Sequence, residues 1–257
     1  MNPMFEIRDM RVSYGPTEVV RGVSLSIPQG QMCALLGLNG SGKTTLLRAA
    51  CGLLPYKGAC YVQGHHLGEM NERQRAKFLS FIPQISSALQ GKTVMEVLLM
   101  GFNPHLKLLQ SPGQAHRYAA LDTLAKLNLQ DHSSRLFSSL SQGQKQLVIL
   151  ARALVQNAPV MLLDEPDSAL DFLNRHMVLS KMQDTIRTEN QVGLITLHDP
   201  NFAMAYCNRL ILLKDGLVAA ELDMGTAEFD EVREKLSLLY GDIELLSGQR
   251  GYLMGKA

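Results

Sequence analysis

The sequence predicts an α/β fold in which a parallel sheet carries a loop that binds the phosphates of a nucleotide. A glycine-rich stretch at 37–45 joins an apolar run at 31–36 to a helical pattern at 43–54. A second apolar run, at 160–163, ends in adjacent carboxylates, and a third, at 191–197, ends at a histidine. Parallel strands are buried on both faces and read as continuous apolar runs, and their carboxyl ends lie at one edge of the sheet. The three runs therefore predict a single site at that edge.

The glycine-rich loop fits the phosphate-binding pattern G-x-x-x-x-G-K-[ST]. Its glycines let the backbone curl so that successive N–H groups point at phosphate oxygens, and the following helix adds its positive end. Lys43 is predicted to reach the β- and γ-phosphates, and the Thr44 hydroxyl to ligate the accompanying Mg2+. A chance glycine-rich turn is the alternative, and the flanking strand and helix disfavour it. The predicted nucleotide-binding residues here are Gly37, Asn39, Gly40, Ser41, Gly42, Lys43, Thr44 and Thr45.

The composition favours one large α/β domain with room for an inserted subdomain, since the chain has 257 residues. Its 25 Lys and Arg residues nearly balance 24 Asp and Glu residues, which excludes a broad basic field, so no nucleic-acid partner is expected. No apolar run approaches the roughly 20 residues of a spanning helix. Cys33, Cys51, Cys60 and Cys207 lack C-x-x-C spacing and are predicted to be reduced core residues of a cytosolic protein.

The first part of the chain predicts an antiparallel hairpin. Apolar and polar residues alternate at 5–11 and again at 23–27, with the turn-like Tyr14-Gly15-Pro16 between them. Tyr14 at the tip could stack on an adenine ring, although plain packing is the simpler interpretation from spacing alone. Another strand is predicted at 58–64.

The middle of the chain changes from core strands to helices. A short helix is predicted at 72–77, and a strand at 79–84 stops near a proline, which places Gln84 where the core gives way to a different segment. From 93 to 158 the pattern is helical, with a loop around 104–113. We therefore predict an inserted α-helical subdomain at about 86–158.

The last part of the chain predicts a hairpin and a helix. Strands at 209–213 and 217–221 flank an Asp-Gly turn, and a helix is expected at 226–240. The predicted organisation is one domain at 1–241 followed by a C-terminal tail at 242–257.

A capped helix precedes the second apolar run. Ser141 is a natural N-cap, and Gly143 leaves the start of the helix open, so this end can bind an anion. Taken alone, these residues indicate only a capped helix.

The carboxylates after the second run carry the predicted chemistry. Asp164 suits a magnesium shell, and Glu165 suits a general base that orients an attacking water. A solvated acidic turn is the alternative, and the phosphate loop upstream disfavours it. Residues 168–171 would lie beside this site. A lone histidine at a strand end is more often structural, but His198 stands at the same predicted edge, which favours a contact with the γ-phosphate.

In this order, and over nearly the whole chain, these stretches resemble the nucleotide-binding subunit of ATP-binding cassette (ABC) transporters. The resemblance implies a P-loop NTPase core with an N-terminal antiparallel β subdomain and an inserted α-helical subdomain, and it implies ATP and Mg2+ as ligands. The matching motifs are the Walker A loop at 37–45, the Q-loop at Gln84, the signature at 140–144, the Walker B strand at 161–165, the D-loop at 168–171 and the H-loop at His198, with Tyr14 as the adenine-stacking aromatic residue.

The resemblance also implies roles and partners. Two copies of the chain would close head to tail as an ATP-sandwich homodimer, and the pair would sit on the cytoplasmic face of the inner (cell) membrane, against a polytopic permease in two copies that receives cargo from a substrate-binding protein. The implied catalytic residues are Glu165, His198 and Gln84; the metal-binding residues are Thr44, Gln84 and Asp164; the residues that face the partner's nucleotide are Ser141, Gly143 and Gln144; and Asp171 is the D-loop contact.

Several shorter stretches of the sequence are similar to those of importers of the metal-chelate type, which carry ferric siderophores, haem, cobalamin or molybdate-like anions. The stretches that carry this similarity are 93–97 with 101–105, then 197–201 and 239–241. Gln142 stands where the first signature glycine is usual, Asp167 where threonine is frequent, and Phe102 where arginine is frequent.

Three other functions fit parts of the pattern. A soluble ABC protein that grips ribosomes or DNA usually has two cassettes or a long coiled-coil insertion, and this chain has neither a second phosphate loop nor sustained heptads. An exporter subunit is disfavoured because such cassettes are often fused to spanning helices. A nucleotide-gated adaptor without turnover is disfavoured by the presence of Glu165 and His198.

Overall fold

The computed structural model describes residues 4–83, 89, 91–107, 109–168, 170–248 and 251–256. The strands in chain order are β1 (Phe5–Tyr14), β2 (Thr17–Ile27), β3 (Met32–Leu36), β4 (Lys57–Val62), β5 (His65–His66), β6 (Leu79–Ile82), β7 (Val160–Asp164), β8 (Val192–Thr196), β9 (Arg209–Lys214), β10 (Leu217–Asp223), β11 (Ile243–Gly248) and β12 (Gly251–Lys256). The α-helices are α1 (Lys43–Ala50), α2 (Glu72–Arg75), α3 (Val94–Leu99), α4 (Gln114–Lys126), α5 (Gln142–Gln156), α6 (Phe172–Thr188), α7 (Pro200–Tyr206) and α8 (Phe229–Tyr240).

The central sheet contains the three apolar runs as adjacent parallel strands. Its order is β10-β9-β3-β8-β7-β6, and every neighbouring pair is parallel except β9 with β10. Every residue of β3, β7 and β8 is buried, as continuous apolar strands between two layers must be. Their carboxyl ends therefore meet at one edge, which confirms the predicted α/β fold.

Two hydrophobic clusters cover the two faces of this sheet. On one face, Cys33 and Leu35 of β3 pack with α1 and with an antiparallel sheet of order β2-β1-β4-β5. On the other face, Met32 and Ala34 pack with residues of α3, α5 and α6. The alternation of side chains along one strand thus joins the N-terminal β layer and the helical layer through a single sheet.

The helices between β6 and β7 pack against one another. Thr93 and Glu96 form a reciprocal capping box at the start of α3, and Ser141 and Gln144 form another at the start of α5. A short 3-10 helix, Met100–His105, extends into the predicted loop at 104–113. Residues 86–88 of the predicted insertion lie outside the described residues, so its boundaries stay a prediction.

Several predicted boundaries differ from the structure. Helix α1 ends at Ala50 rather than at residue 54, because Gly52 adopts a left-handed φ of +72° that stops a helix. Helix α2 ends two residues before the predicted 77, and α8 begins at Phe229 rather than at 226. Strands β1 and β2 extend the predicted hairpin up to its turn at Gly15, whose φ is +56°.

The residues treated as a tail include a hairpin. Strands β11 and β12 pair antiparallel, and Ile243 and Leu245 are buried in the same hydrophobic cluster as α8. Their alternation with exposed Glu244 and Leu246 is typical of a half-buried strand. The C-terminal segment is therefore packed on the core.

All four cysteines are free thiols, as predicted. Burial raises the pKa of Cys33 and of Cys60 to about 12. Over the described ranges, no helix combines the length and the apolar character that crossing a bilayer requires.

Candidate nucleotide-binding and hydrolysis site

The glycine-rich loop leaves the end of β3 and runs into α1. Gly40 and Gly42 have φ values of +81° and +103°, a conformation that other residues rarely adopt. A Cβ on Gly37 would collide with Ser41 Oγ and with the carbonyl oxygen of Leu213. The loop can therefore take this shape only with glycine at these positions, and the first turn of α1 opens toward it.

Lys43, the first residue of α1, is folded against the loop. Its side chain is nearly enclosed, and Nζ donates to the carbonyl oxygens of Gly37 (2.7 Å) and Leu38 (3.3 Å). Burial lowers the pKa of Lys43, while the carboxylates of Glu165 and Asp164 oppose that shift. The ammonium group is thus held by neutral carbonyl oxygens. Phosphate oxygens can take their place, because they form stronger, charge-assisted hydrogen bonds with the ammonium group.

Asp164 lies at the end of β7 and joins the loop helix to β8. Its Oδ1 accepts hydrogen bonds from Thr44 Oγ1 (3.0 Å) and from Thr196 Oγ1 (3.1 Å). The carboxylate is 2 % exposed. Two of the predicted metal-binding side chains, Thr44 and Asp164, therefore meet, and they supply the hard oxygen donors that Mg2+ prefers.

This oxygen pair does not by itself complete a metal shell. Among the described residues, no group of three or more His, Cys, Asp or Glu side chains is arranged to hold a metal ion. Mg2+ commonly keeps several waters and binds through one or two protein oxygens plus substrate phosphates. The chemistry of the donor set therefore fits Mg2+ that arrives with a nucleotide.

Glu165 and His198 form a close pair beside Asp164. The distance between Glu165 Oε1 and His198 Nε2 is 2.7 Å. The backbone of Glu165 has a φ of +49°, and its N–H donates to Thr196 Oγ1 (2.8 Å). The Glu165 side chain is 12 % exposed and that of His198 is 50 % exposed, so the pair stands at the mouth of the site.

Tyr14, the predicted adenine-stacking residue, belongs to the N-terminal antiparallel sheet. It is the last residue of β1, beside the turn to β2, and about half of its surface is exposed. Strand β2 borders the phosphate loop, since the carbonyl oxygen of Val19 would lie 3.1 Å from a Cβ on Gly42. Gln84 lies outside the described residues.

The predicted signature residues form the N-terminus of α5. Ser141 Oγ accepts from the backbone N–H of Gln144 (3.3 Å), and the Gln144 side chain accepts from the N–H of Ser141 (3.0 Å). Gly143 lies against α6, where a Cβ would come within 2.9 Å of Asn174 Oδ1. The glycine therefore permits close packing of two helices at this point.

Asp171 caps α6 next to the same asparagine. Its carboxylate accepts from the backbone N–H of Asn174 (2.9 Å) and from Asn174 Nδ2 (2.8 Å), and these hydrogen bonds lower the pKa of Asp171. Asn174 thus connects the predicted D-loop and signature residues, and no motif in the sequence indicates this link.

The chain is similar to known proteins over most of its length. The ABC transporter family model matches residues 20–168, which include the phosphate loop, the capped helix α5 and the Walker B strand. The chain is 34% identical over 224 residues to the hemin import ATP-binding protein of Shewanella denitrificans, and the alignment covers 85% of this chain and 87% of that protein.

The chain belongs to the ABC transporter family.

Two solved structures of the family resemble the fold. An ABC transporter described as of the metal-chelate type, in an inward-facing conformation, has a chain with 27% identity and a TM-score of 0.81, covering 98% of this chain and 96% of that one. A dimeric ATP-binding cassette in a post-hydrolysis state, bound to ADP and Pi, has 26% identity and a TM-score of 0.74, covering 86% of this chain and 99% of that one. The protein is an ABC-type ATPase with a nucleotide-binding cassette.

Asp167, which stands where threonine is frequent in ABC proteins, forms an ion pair in the structure. Asp167 is 4 % exposed, and its Oδ2 lies 3.2 Å from Arg175 Nε of α6. The Arg175 guanidinium also stacks over the ring of Phe202 of α7, 5.0 Å from its centroid. Burial raises the pKa of Asp167, and Arg175 opposes that shift. An ion pair therefore connects the loop after Glu165 to α6 and α7.

Replacing Arg175 by alanine should destabilise the fold. The variant leaves the Asp167 carboxylate buried without its cation and removes the contact with Phe202. Because Arg175 is partly exposed, we expect a loss of about 1–3 kcal/mol in the free energy of unfolding, measured by urea titration. The double variant with Asp167→Asn should recover part of the loss, since no buried charge remains. An unchanged unfolding midpoint in Arg175→Ala would show that the ion pair does not stabilise the fold.

Proposed function

We propose that this chain is the ATP-hydrolysing subunit of a membrane ABC importer for a metal chelate, such as an iron siderophore, haem or cobalamin, or for a molybdate-like anion. The observation that carries the proposal is the contact of Glu165 with His198, which stands directly beside the pair formed by Thr44 and Asp164. This arrangement supports Glu165 as the base, His198 as the residue that orients it, and Thr44 with Asp164 as the metal-binding pair.

In the proposed reaction, the loop and Lys43 bind the β- and γ-phosphates of ATP. Glu165 orients the attacking water and accepts its proton, while His198 holds the Glu165 carboxylate and contacts the γ-phosphate. The new bond forms between the water oxygen and the γ-phosphorus. The bond to the β–γ bridging oxygen breaks, and ADP and phosphate leave. Positioning and charge stabilisation account for most of the rate in such phosphoryl transfers.

Thr44 and Asp164 would hold Mg2+, with Gln84 as the third predicted contact. The ion would neutralise charge on the β- and γ-phosphate oxygens. The hydrogen bond between Thr44 and Asp164 keeps both oxygen donors in place, and Thr196 fixes the carboxylate from the other side.

A second copy of the chain completes the proposed site. In the homodimer, Ser141, Gly143 and Gln144 of one copy face the nucleotide held by Lys43 of the other, and Asp171 lies at the contact. The 15-residue helix α5 directs its positive N-terminal end toward that nucleotide. The similarity to a dimeric cassette bound to ADP and Pi supports this arrangement. Tyr14 would stack on the adenine ring.

The membrane partner is a polytopic permease in two copies, which receives its cargo from a substrate-binding protein. The similarity to a transporter of the metal-chelate type and to a hemin import protein supports both the partner and the cargo class. The chain would then sit peripherally on the cytoplasmic face of the inner (cell) membrane. Its near-neutral charge, 25 basic against 24 acidic residues, gives no reason to expect nucleic acid as a partner.

Uptake by the native cell tests this proposal. When Glu165→Gln replaces the wild-type chain, accumulation of one of four labelled cargoes, a ferric siderophore, hemin, cobalamin or molybdate, should fall to background. Glu234→Gln, which makes the same change at an exposed position of α8, should leave uptake unchanged. Normal uptake of all four cargoes together with a lost efflux activity would instead identify an exporter.

A further inference from the structure

We propose that the C-terminal hairpin, strands β11 and β12, positions His198 through a clip formed by the side chain of Asn201. The proposal rests on the role of His198 in hydrolysis proposed above and adds a positioning residue and a function for the last segment of the chain.

The clip is a pair of hydrogen bonds between a side chain and one backbone residue. Asn201 Oδ1 accepts from the N–H of Met254 (2.7 Å), and Asn201 Nδ2 donates to the carbonyl oxygen of Met254 (3.2 Å). A side-chain amide that bonds both the N–H and the carbonyl oxygen of one residue makes the hydrogen bonds that a neighbouring strand would otherwise make. The clip thus fastens β12 to the first turn of α7.

His198 is separated from this clip by two residues of restricted geometry. Asp199 is the N-cap of α7 and accepts from the N–H of Asn201 (2.9 Å), and the buried Pro200 occupies the first helical position, where its fixed φ is already helical. A displacement of Asn201 should therefore also move the backbone of His198, because Asp199 and Pro200 have little conformational freedom to absorb it.

The hairpin has its own anchors on the core, so it can act as a fixed support. The ring of Tyr252 packs edge-on against Phe229, with centroids 5.8 Å apart, and its hydroxyl donates to the carbonyl oxygen of Ala227 (3.4 Å). Ile243 and Leu245 are 8 % and 5 % exposed. Both strands are thus attached to α8 and to the segment before it.

The side chain of His198 depends on such support because half of it faces solvent. Its imidazole reaches Glu165 Oε1 at 2.7 Å from a backbone segment that follows β8. Misplacement of a catalytic group by about 1 Å can cost a hundredfold in rate. We therefore expect the clip to affect turnover rather than nucleotide binding, since residues 37–45 make none of these contacts with the hairpin.

The test measures kcat and KM for ATP in Asn201→Ala. A fall in kcat of about tenfold with KM within about twofold is expected, because a sub-ångström shift of the histidine costs part of that hundredfold. Leu253→Ser is the matched control: it changes the neighbouring residue on the exposed face of β12 and leaves the clip intact, so both constants should stay at the wild-type values. If Asn201→Ala does not fold, as judged by ATP binding, Asn201→Asp replaces it; this variant retains the acceptor for the Met254 N–H, and a smaller loss of kcat is expected.

The same Asn201→Ala change, made in a His198→Ala variant, distinguishes a positioning role of the clip from a general structural role. In His198→Ala, the residual kcat should not fall further when Asn201→Ala is added, because the clip acts through the missing imidazole. Unchanged kcat in Asn201→Ala, or an equal loss in both backgrounds, would overturn the positioning proposal alone. Wild-type kcat in His198→Ala would overturn the role of His198 and the positioning proposal together, so the two failures can be told apart.

Discussion

Glu165→Gln is expected to lower ATP turnover by about a hundredfold to ten-thousandfold, the contribution typical of a positioned general base. Glutamine has the same shape, but its amide cannot take the proton of the attacking water. The substitution also removes the negative charge of the Glu165 carboxylate, whose Oε1 lies 2.7 Å from His198 Nε2. The backbone hydrogen bond from residue 165 to Thr196 does not depend on the side chain, so the strand end should keep its geometry. Phosphate release at saturating MgATP measures the loss.

ATP binding should survive the same change, since the loop and Lys43 are intact. The affinity for ATP should remain close to the wild-type value, and the variant should accumulate as an ATP-bound dimer visible by size-exclusion chromatography. Wild-type turnover in this variant would assign the base to another group.

Lys43→Ala is expected to weaken ATP binding by about a hundredfold or more, since two hydrogen bonds from a charged group are worth about 1.5–3 kcal/mol each. The ammonium group lies in a nearly enclosed position where no water replaces it at low cost. Its present acceptors, the carbonyl oxygens of Gly37 and Leu38, belong to the loop itself. An ATP titration by calorimetry measures the change.

Two further variants separate the charge of Lys43 from its packing. Lys43→Met retains an apolar stem of similar length and should lose a similar amount of affinity, because the charge is gone. Arg48→Ala removes a cation from the exposed face of the same helix and should bind ATP normally. Equal affinity in Lys43→Met and the wild type would show that the ammonium does not bind the phosphates.

The parts of the fold that could be predicted from sequence are those with local causes. Strands β3, β7 and β8 are continuous apolar runs because both of their faces are covered, and the glycines of the phosphate loop are required by a left-handed backbone. The placement of Lys43, Asp164 and Glu165 at one edge follows from the parallel arrangement of these strands.

The missed features depend on contacts between distant residues. The clip joins Asn201 to Met254, 53 positions along the chain, and neither residue type indicates the other. Thr196, whose hydroxyl donates to Asp164 from β8, lies within the apolar run at 191–197, and that run by itself indicates only a buried strand. Residues 242–257 are predicted only as a tail, although the apolar and polar residues at 243–246 alternate as in a half-buried strand.

Purification of tagged Glu165→Gln from detergent-solubilised membranes of its native cell, in the presence of MgATP, tests the transporter function of this ATPase. A many-helix permease should copurify in equal amount, because the variant holds the closed, ATP-bound dimer. Recovery from the soluble fraction alone, or with ribosomes or DNA attached, would contradict the transporter function.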